Sequence, residues 1–187
     1  DRPADRLLAE HILPLLLSLG REPDGEGTER QYFLLELDER LKQLHDKLVV
    51  VSSTMREEPA DAEADESAAY AWISRSIRHL TVGKNLPAVQ HAKLWMLHWS
   101  APNDEGVEHL ELVVSSANLT RAAFRSQLQA AWRVCLELRP LGSAARLAEW
   151  GVLPHFLRAL AESTGENARL DNFVELLKRA ECPQGVE

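Results

Sequence analysis

Cysteine is scarce in this chain: 187 residues hold two, Cys135 within the apolar run Val134-Cys135-Leu136 and Cys182 near the end. That excludes the disulfide framework of small secreted domains and reads both residues as buried thiols of a reducing compartment. Long apolar runs are missing too. None approaches the roughly 18 residues of a membrane-crossing helix, and Asp1-Arg2-Pro3-Ala4-Asp5 at the start has neither the basic nor the apolar region of a secretory signal. The expectation is a soluble cytoplasmic protein, nuclear if its source is eukaryotic, with no membrane partner. The chain does not begin with Met and stops at Glu187 just after a helical pattern, so it reads as a piece of something longer.

An overall excess of positive charge is also lacking. The net charge is −8, which argues against a protein that coats nucleic acid without specificity. The charge is uneven, however. Residues 70–147 hold nine Lys/Arg against five Asp/Glu, so that segment is +4 and the remainder −12. Two readings stand: a local basic surface for phosphates, or arginines that solvate helix faces. Much of the acidity lies between Glu57 and Glu66, and the stretch near 56–67, with Pro59 and no apolar period, reads as a flexible acidic loop.

What is present is a core. A hydrophobic content of 45% suffices for a single domain over residues 1–187. Arg6 to Leu19 is a leucine-rich helix interrupted by Pro14, Tyr32 to Leu44 opens as a strand and closes as a helix, and Lys47 to Ser53 is a buried strand. The spacing of Tyr70, Ile73 and Ile77 predicts a helix to Leu80. A Gly83/Pro87 turn then leads to a strand carrying His91 and Lys93. Leu110 to Ser115 is the next strand, and Pro102, Asn103, Asp104 and Gly106 make the intervening segment a hairpin turn. Ala130 to Leu138 is another strand. Ala144 to Trp150, Leu153 to Ser163 and Leu170 to Ala180 read as helices. Near-continuous apolar strands alternating with helices argue an α/β sandwich.

The chemistry concentrates in His91-Ala92-Lys93 and in Ser115-Ser116-Ala117-Asn118. On a strand, His91 and Lys93 share a face, giving one surface a ring nitrogen and a fixed positive charge. Ser116 and Asn118 repeat the i, i+2 arrangement with a hydroxyl and a carboxamide, both suited to phosphate oxygens. If the two strands are neighbours, the four side chains converge. His45-Asp46-Lys47 has the same spacing, but no Ser-x-Asn follows it, and His45 reads as a helix-end residue. His91, His98 and His109 lack metal-ligand spacing and a completing Cys or carboxylate, so neither a metal nor another cofactor is expected. Trp95 and Trp99 read first as core and second as surfaces for base stacking.

His-x-Lys followed after a strand by Ser-x-Asn resembles the phospholipase D superfamily. Most of its enzymes carry an Asp five residues after the Lys, where this chain has His98, and a carboxylate about eleven residues after the Asn, where it has Gln129. Both departures are similar to the first half of the tyrosyl-DNA phosphodiesterase family, as is the order Gln129-Ala130-Ala131-Trp132, His155-Phe156-Leu157, Phe173-Val174-Glu175. The similarity covers roughly residues 85–187; before that it is one of element order.

The resemblance implies a phospholipase D-like mixed β-sheet with helices on both faces, one half of a pseudo-two-fold bilobal unit. It implies a metal-independent phosphodiesterase or nuclease on DNA, single-stranded or bearing 3′-end adducts. His91 would be the nucleophile that forms a covalent phosphohistidine, with Lys93 and Asn118 on the non-bridging oxygens. Ser116, with Ser115 beside it, would contact the substrate, and Gln129 would fix the His91 ring. A neutral imidazole is an adequate nucleophile, and phosphoryl transfer mainly needs positioning and stabilised oxyanion charge. The reaction also needs a second His to protonate the leaving oxygen, and only one such motif is present. The other half-site would come from a homodimer mate, as in single-motif endonucleases of the superfamily, or from a missing C-terminal half. The alternative of another class is a non-catalytic module that binds nucleic acid or a protein.

Overall fold

A computed structural model describes residues 7–8, 12–20, 23, 27–44, 47–53, 72–73, 75–82, 91–100, 107–117, 123, 127–140, 147–165 and 167–182. The acidic stretch 56–67, both expected turns at 83–90 and 101–106, His45 and Asn118 lie outside them. The chain forms two compact units, residues 1–80 with 118–128, and residues 81–117 with 129–187.

In the first unit, α1 (Leu13–Leu16) is followed by α2 (Thr28–Leu44). The strand expected to open at Tyr32 is helix throughout. Good helix formers dominate the 17 residues, Glu29 complements the first turn, and Lys42 pairs with Asp38 at 2.7 Å one turn back. These terms outweigh the β preference of Tyr32 and Phe33. Leu37 and Leu41 face inward. Strand β1 (Val49–Ser53) is half-buried along its length rather than fully buried, as expected of a strand whose sheet, among the described residues, holds β1 and β2 (Arg78–Val82). Of the helix expected to reach Leu80, the described residues show helix at Trp72-Ile73 and Arg75-Ser76; Arg78 begins β2. His79-Leu80-Thr81-Val82 alternates half-buried with buried positions, a period of two that the helical reading of Ile73 and Ile77 overran.

The second unit is built on an antiparallel sheet, β3 (Leu94–Ser100), β4 (Glu108–Ser115) and β5 (Ala131–Glu137), with β4 central. The described strands thus form two small sheets in an α/β arrangement. Register follows from apolar alternation: Met96, Leu112 and Val134 lie in one row, and His98, Leu110 and Leu136 in the next. That face is covered by α3 (Leu153–Thr164) and α4 (Asn167–Arg179), with a short 3₁₀ turn, Leu147–Trp150, in place of the expected helix. Leu157, Val174 and Leu177 meet Leu110 and Leu112 in a continuous core. Helix α3 has Pro154 in its first turn and ends on Gly165 at φ +74°, whose N–H bonds the Ala161 carbonyl at 2.9 Å; glycine takes that left-handed position without a Cβ clash.

The end of α4 is tied back to the sheet. Leu138 bridges Ala180, and Arg139 donates from Nε and Nη2 to the Arg179 and Lys178 carbonyls while Arg179 Nε donates to the Arg139 carbonyl. These bonds satisfy helix-end carbonyls that have no partner within the helix. Arg179 also pairs with Glu108, whose other oxygen lies 2.9 Å from His98 Nε2. The Arg179 guanidinium, opposed by desolvation and helped by His98, holds the Glu108 carboxyl below its ordinary value of 4.5.

A depressed folded-state value means stability that is present above the unfolded carboxyl value and lost as pH falls through the folded one. Thermal unfolding is therefore expected to show a steady plateau at neutral pH and a decline below about pH 4.5. In Glu108→Gln the plateau should sit about 1 kcal/mol lower and this group's share of the acid decline should vanish. An acid limb as steep in the variant as in the parent would assign the decline to other carboxylates.

Candidate phosphate-binding site

Main-chain pairing gathers the site residues at one end of the three-stranded sheet. The β3–β4 ladder ends on Leu94 opposite Val114 and is carried one step further by Ser115 N–H donating to the Lys93 carbonyl at 3.0 Å. On the other side Ser115 lies opposite Ala131, and Ser116 N–H donates to the Ala130 carbonyl at 2.9 Å. His91-Lys93, Ser115-Ser116 and Gln129-Ala130 therefore lie on three adjacent segments, each about 4.8 Å from the next. His91 and Ser116 are exposed, and Lys93, Ser115 and Gln129 are half-buried. Asn118 follows Ser116 by two residues, outside the described residues.

Two side chains are committed more closely than the i, i+2 pattern suggested. His91 and Lys93 precede the strand, which starts at Leu94. Lys93 Nζ turns back to donate to the His91 carbonyl at 2.8 Å, so the ammonium is anchored on the histidine's own backbone. Ser116 Oγ donates to Gln129 Oε1 at 2.6 Å and accepts from the Ala130 N–H at 3.0 Å. A hydroxyl has one proton, and here it goes to Gln129. The serine thereby positions the Gln129-Ala130 segment.

Other polar groups are occupied by packing. Arg133 pairs with Glu111 at 2.5 Å, and Trp99 Nε1 donates to the same carboxylate at 3.2 Å; the Arg133 guanidinium holds the Glu111 carboxyl below the usual range. Arg133 and Arg139 thus serve ion-pairing and helix-end roles. His98 belongs to the Glu108–Arg179 network. Cys135 and Cys182 are free thiols, and Cys135 is exposed rather than buried: alternation places it on the face opposite the helix-covered core, across from Glu111. Among the described residues no three His, Cys, Asp or Glu are grouped to hold a metal ion, and no helix is long and apolar enough to cross a membrane.

No family model and no curated protein matches the chain. Among solved structures it is similar to the crystal structure of a histidine-to-asparagine mutant of yeast tyrosyl-DNA phosphodiesterase, at 19% identity and a TM-score of 0.47, over 79% of this chain and 33% of that one. The chain thus spans a third of that protein's length.

Proposed function

We propose that this chain supplies one half-site of a metal-independent phosphodiesterase of the phospholipase D kind, hydrolysing 3′-phosphodiester adducts at DNA ends. The observation that supports the reading is the adjacency of the His91-Lys93, Ser115-Ser116 and Gln129-Ala130 segments at one end of the sheet, joined by the Lys93–Ser115 and Ser116–Ala130 main-chain bonds. In the first step a neutral imidazole nitrogen of His91 attacks phosphorus, the bond to the leaving oxygen breaks, and a second histidine outside this half-site protonates that oxygen. In the second step water attacks phosphorus, gives its proton to the second histidine, and displaces His91, leaving a 3′-phosphate. Lys93 and Asn118 stabilise charge on the non-bridging oxygens in both steps. The second half-site comes from a mate or from another segment, and the sheet is one part of a larger mixed sheet with helices on both faces.

A leaving group that needs no proton separates this half-site's task from the missing one. With an oligonucleotide bearing a 3′-(4-nitrophenyl) phosphate, the chain alone is expected to release a burst of about one equivalent of nitrophenolate and to stall as the phosphohistidine. The adduct is detected by mass spectrometry on His91 after an alkaline denaturing quench. Oligonucleotide binding with neither burst nor adduct would sink catalysis in favour of a binding module.

A further inference from the structure

The β4–β5 ladder ends on a side chain. Antiparallel pairs alternate between those that exchange two main-chain hydrogen bonds and those that exchange none. At one end of β4, Leu138 N–H donates to the Glu108 carbonyl at 2.8 Å. Ser116 lies an even number of residues further on and keeps the register, so Ser116–Ala130 is again a bonded pair. Its first bond is regular, Ser116 N–H to the Ala130 carbonyl at 2.9 Å. The return bond runs from Ala130 N–H to Ser116 Oγ at 3.0 Å, where the ladder puts the serine's main-chain carbonyl. The same Oγ donates to Gln129 Oε1 at 2.6 Å. That separation suits O–H···O and is short for N–H···O, so the carboxamide meets the serine with its oxygen and turns its two N–H donors away.

We propose that Ser116 is a positioning residue and not a phosphate ligand: its hydroxyl closes the ladder, fixes the Gln129 carboxamide, and acts on a bound phosphate only through that side chain. The inference rests on the proposed phosphodiester reading and replaces the substrate contact expected of Ser116. The non-bridging oxygens of a phosphodiester are acceptors, so a ligand must bring a donor. Ser116 has one proton, and it lies on Gln129. Turning it to the phosphate would break the bond that holds the carboxamide. Because the hydroxyl also accepts a main-chain N–H, it is itself held in place by the sheet. A carboxamide oriented before the anion arrives stabilises charge without reorganising.

The test is a double-mutant cycle in the whole chain, read as the burst rate constant divided by the half-saturating concentration of the 3′-(4-nitrophenyl) phosphate oligonucleotide. Ser116→Ala is expected to lower that ratio about tenfold, Gln129→Met at least as far, and the double variant no further than Gln129→Met alone. Ser116→Thr, which keeps a hydroxyl, should restore the parent value. In hydrogen exchange the Ala130 amide should be freed in Ser116→Ala and protected in Ser116→Thr, with the Leu110 and Leu112 amides slow in both to report an intact sheet. Losses that multiply in the double variant would overturn the inference, since the serine would then touch the phosphate itself. So would an Ala130 amide that exchanges as in the parent when the hydroxyl is gone. A parent that binds a 3′-phosphorylated oligonucleotide without a burst counts against the phosphodiesterase reading alone, and the same cycle in Kd then decides the serine's role. Absence of binding would end both.

Discussion

His91→Ala is expected to abolish the nitrophenolate burst and the covalent adduct, and, with a second histidine supplied, to lower turnover by more than about 10⁴-fold. Lys93 Nζ is turned onto a carbonyl and the Ser116 proton is committed to Gln129, so neither replaces the imidazole as nucleophile. The histidine is exposed, so its truncation should leave the thermal midpoint nearly unchanged. That combination distinguishes a chemical loss from an unfolded variant. Activity within tenfold of the parent would remove His91 from the mechanism.

The converse is expected at Leu110. It is fully buried in the middle of β4, beneath the helices, in one core with Leu157, Val174 and Leu177. Leu110→Ala should cost about 3 kcal/mol through lost transfer free energy and the cavity left behind, lowering the melting temperature by roughly 6–12 °C. At a temperature where the variant is still folded, the burst should persist, because register at the site end is set by the Ser115 and Ser116 main-chain bonds. A shift below 2 °C would mean that the helices close over the gap.

The strands that carry the site were legible because their apolar alternation is strong: the expected Leu110 to Ser115 and Ala130 to Leu138 differ from β4 and β5 by two residues or fewer at each end. Helices α3 and α4 were legible for the same reason, through Leu157 and Ala161, and Leu170, Val174 and Leu177. Elsewhere local signals misled. Tyr32-Phe33 favoured a strand within a helix whose support lies in charges four residues apart, and Cys135 sits in an apolar run but on the face away from the core. Around the candidate site the adjacency of the segments could be read, because hairpin pairing is local, but His91 and Lys93 precede the strand expected to carry them. The Ser116–Gln129 bond could not, since it depends on side-chain rotamers across two strands. Neither could the exposure of Val114: its alternation is identical to that of Leu110 and Leu112, and only the lengths of helices distant in sequence decide which leucine or valine they reach.

The Leu138–Ala180 bridge and its paired arginines have a consequence for how a whole active site is put together. They hold Ala180 beside Leu138 and Arg179 against Glu108, at the opposite end of β4 from Ser115. From there to the level of His91 is the length of the sheet, roughly 24 Å. Under the half-site reading proposed above, a complementary histidine tethered to that end would have about seven extended residues to span before reaching the level of His91. A shorter tether would favour a histidine from a separate molecule, and tether length thus becomes a lever for choosing between intramolecular and shared catalysis.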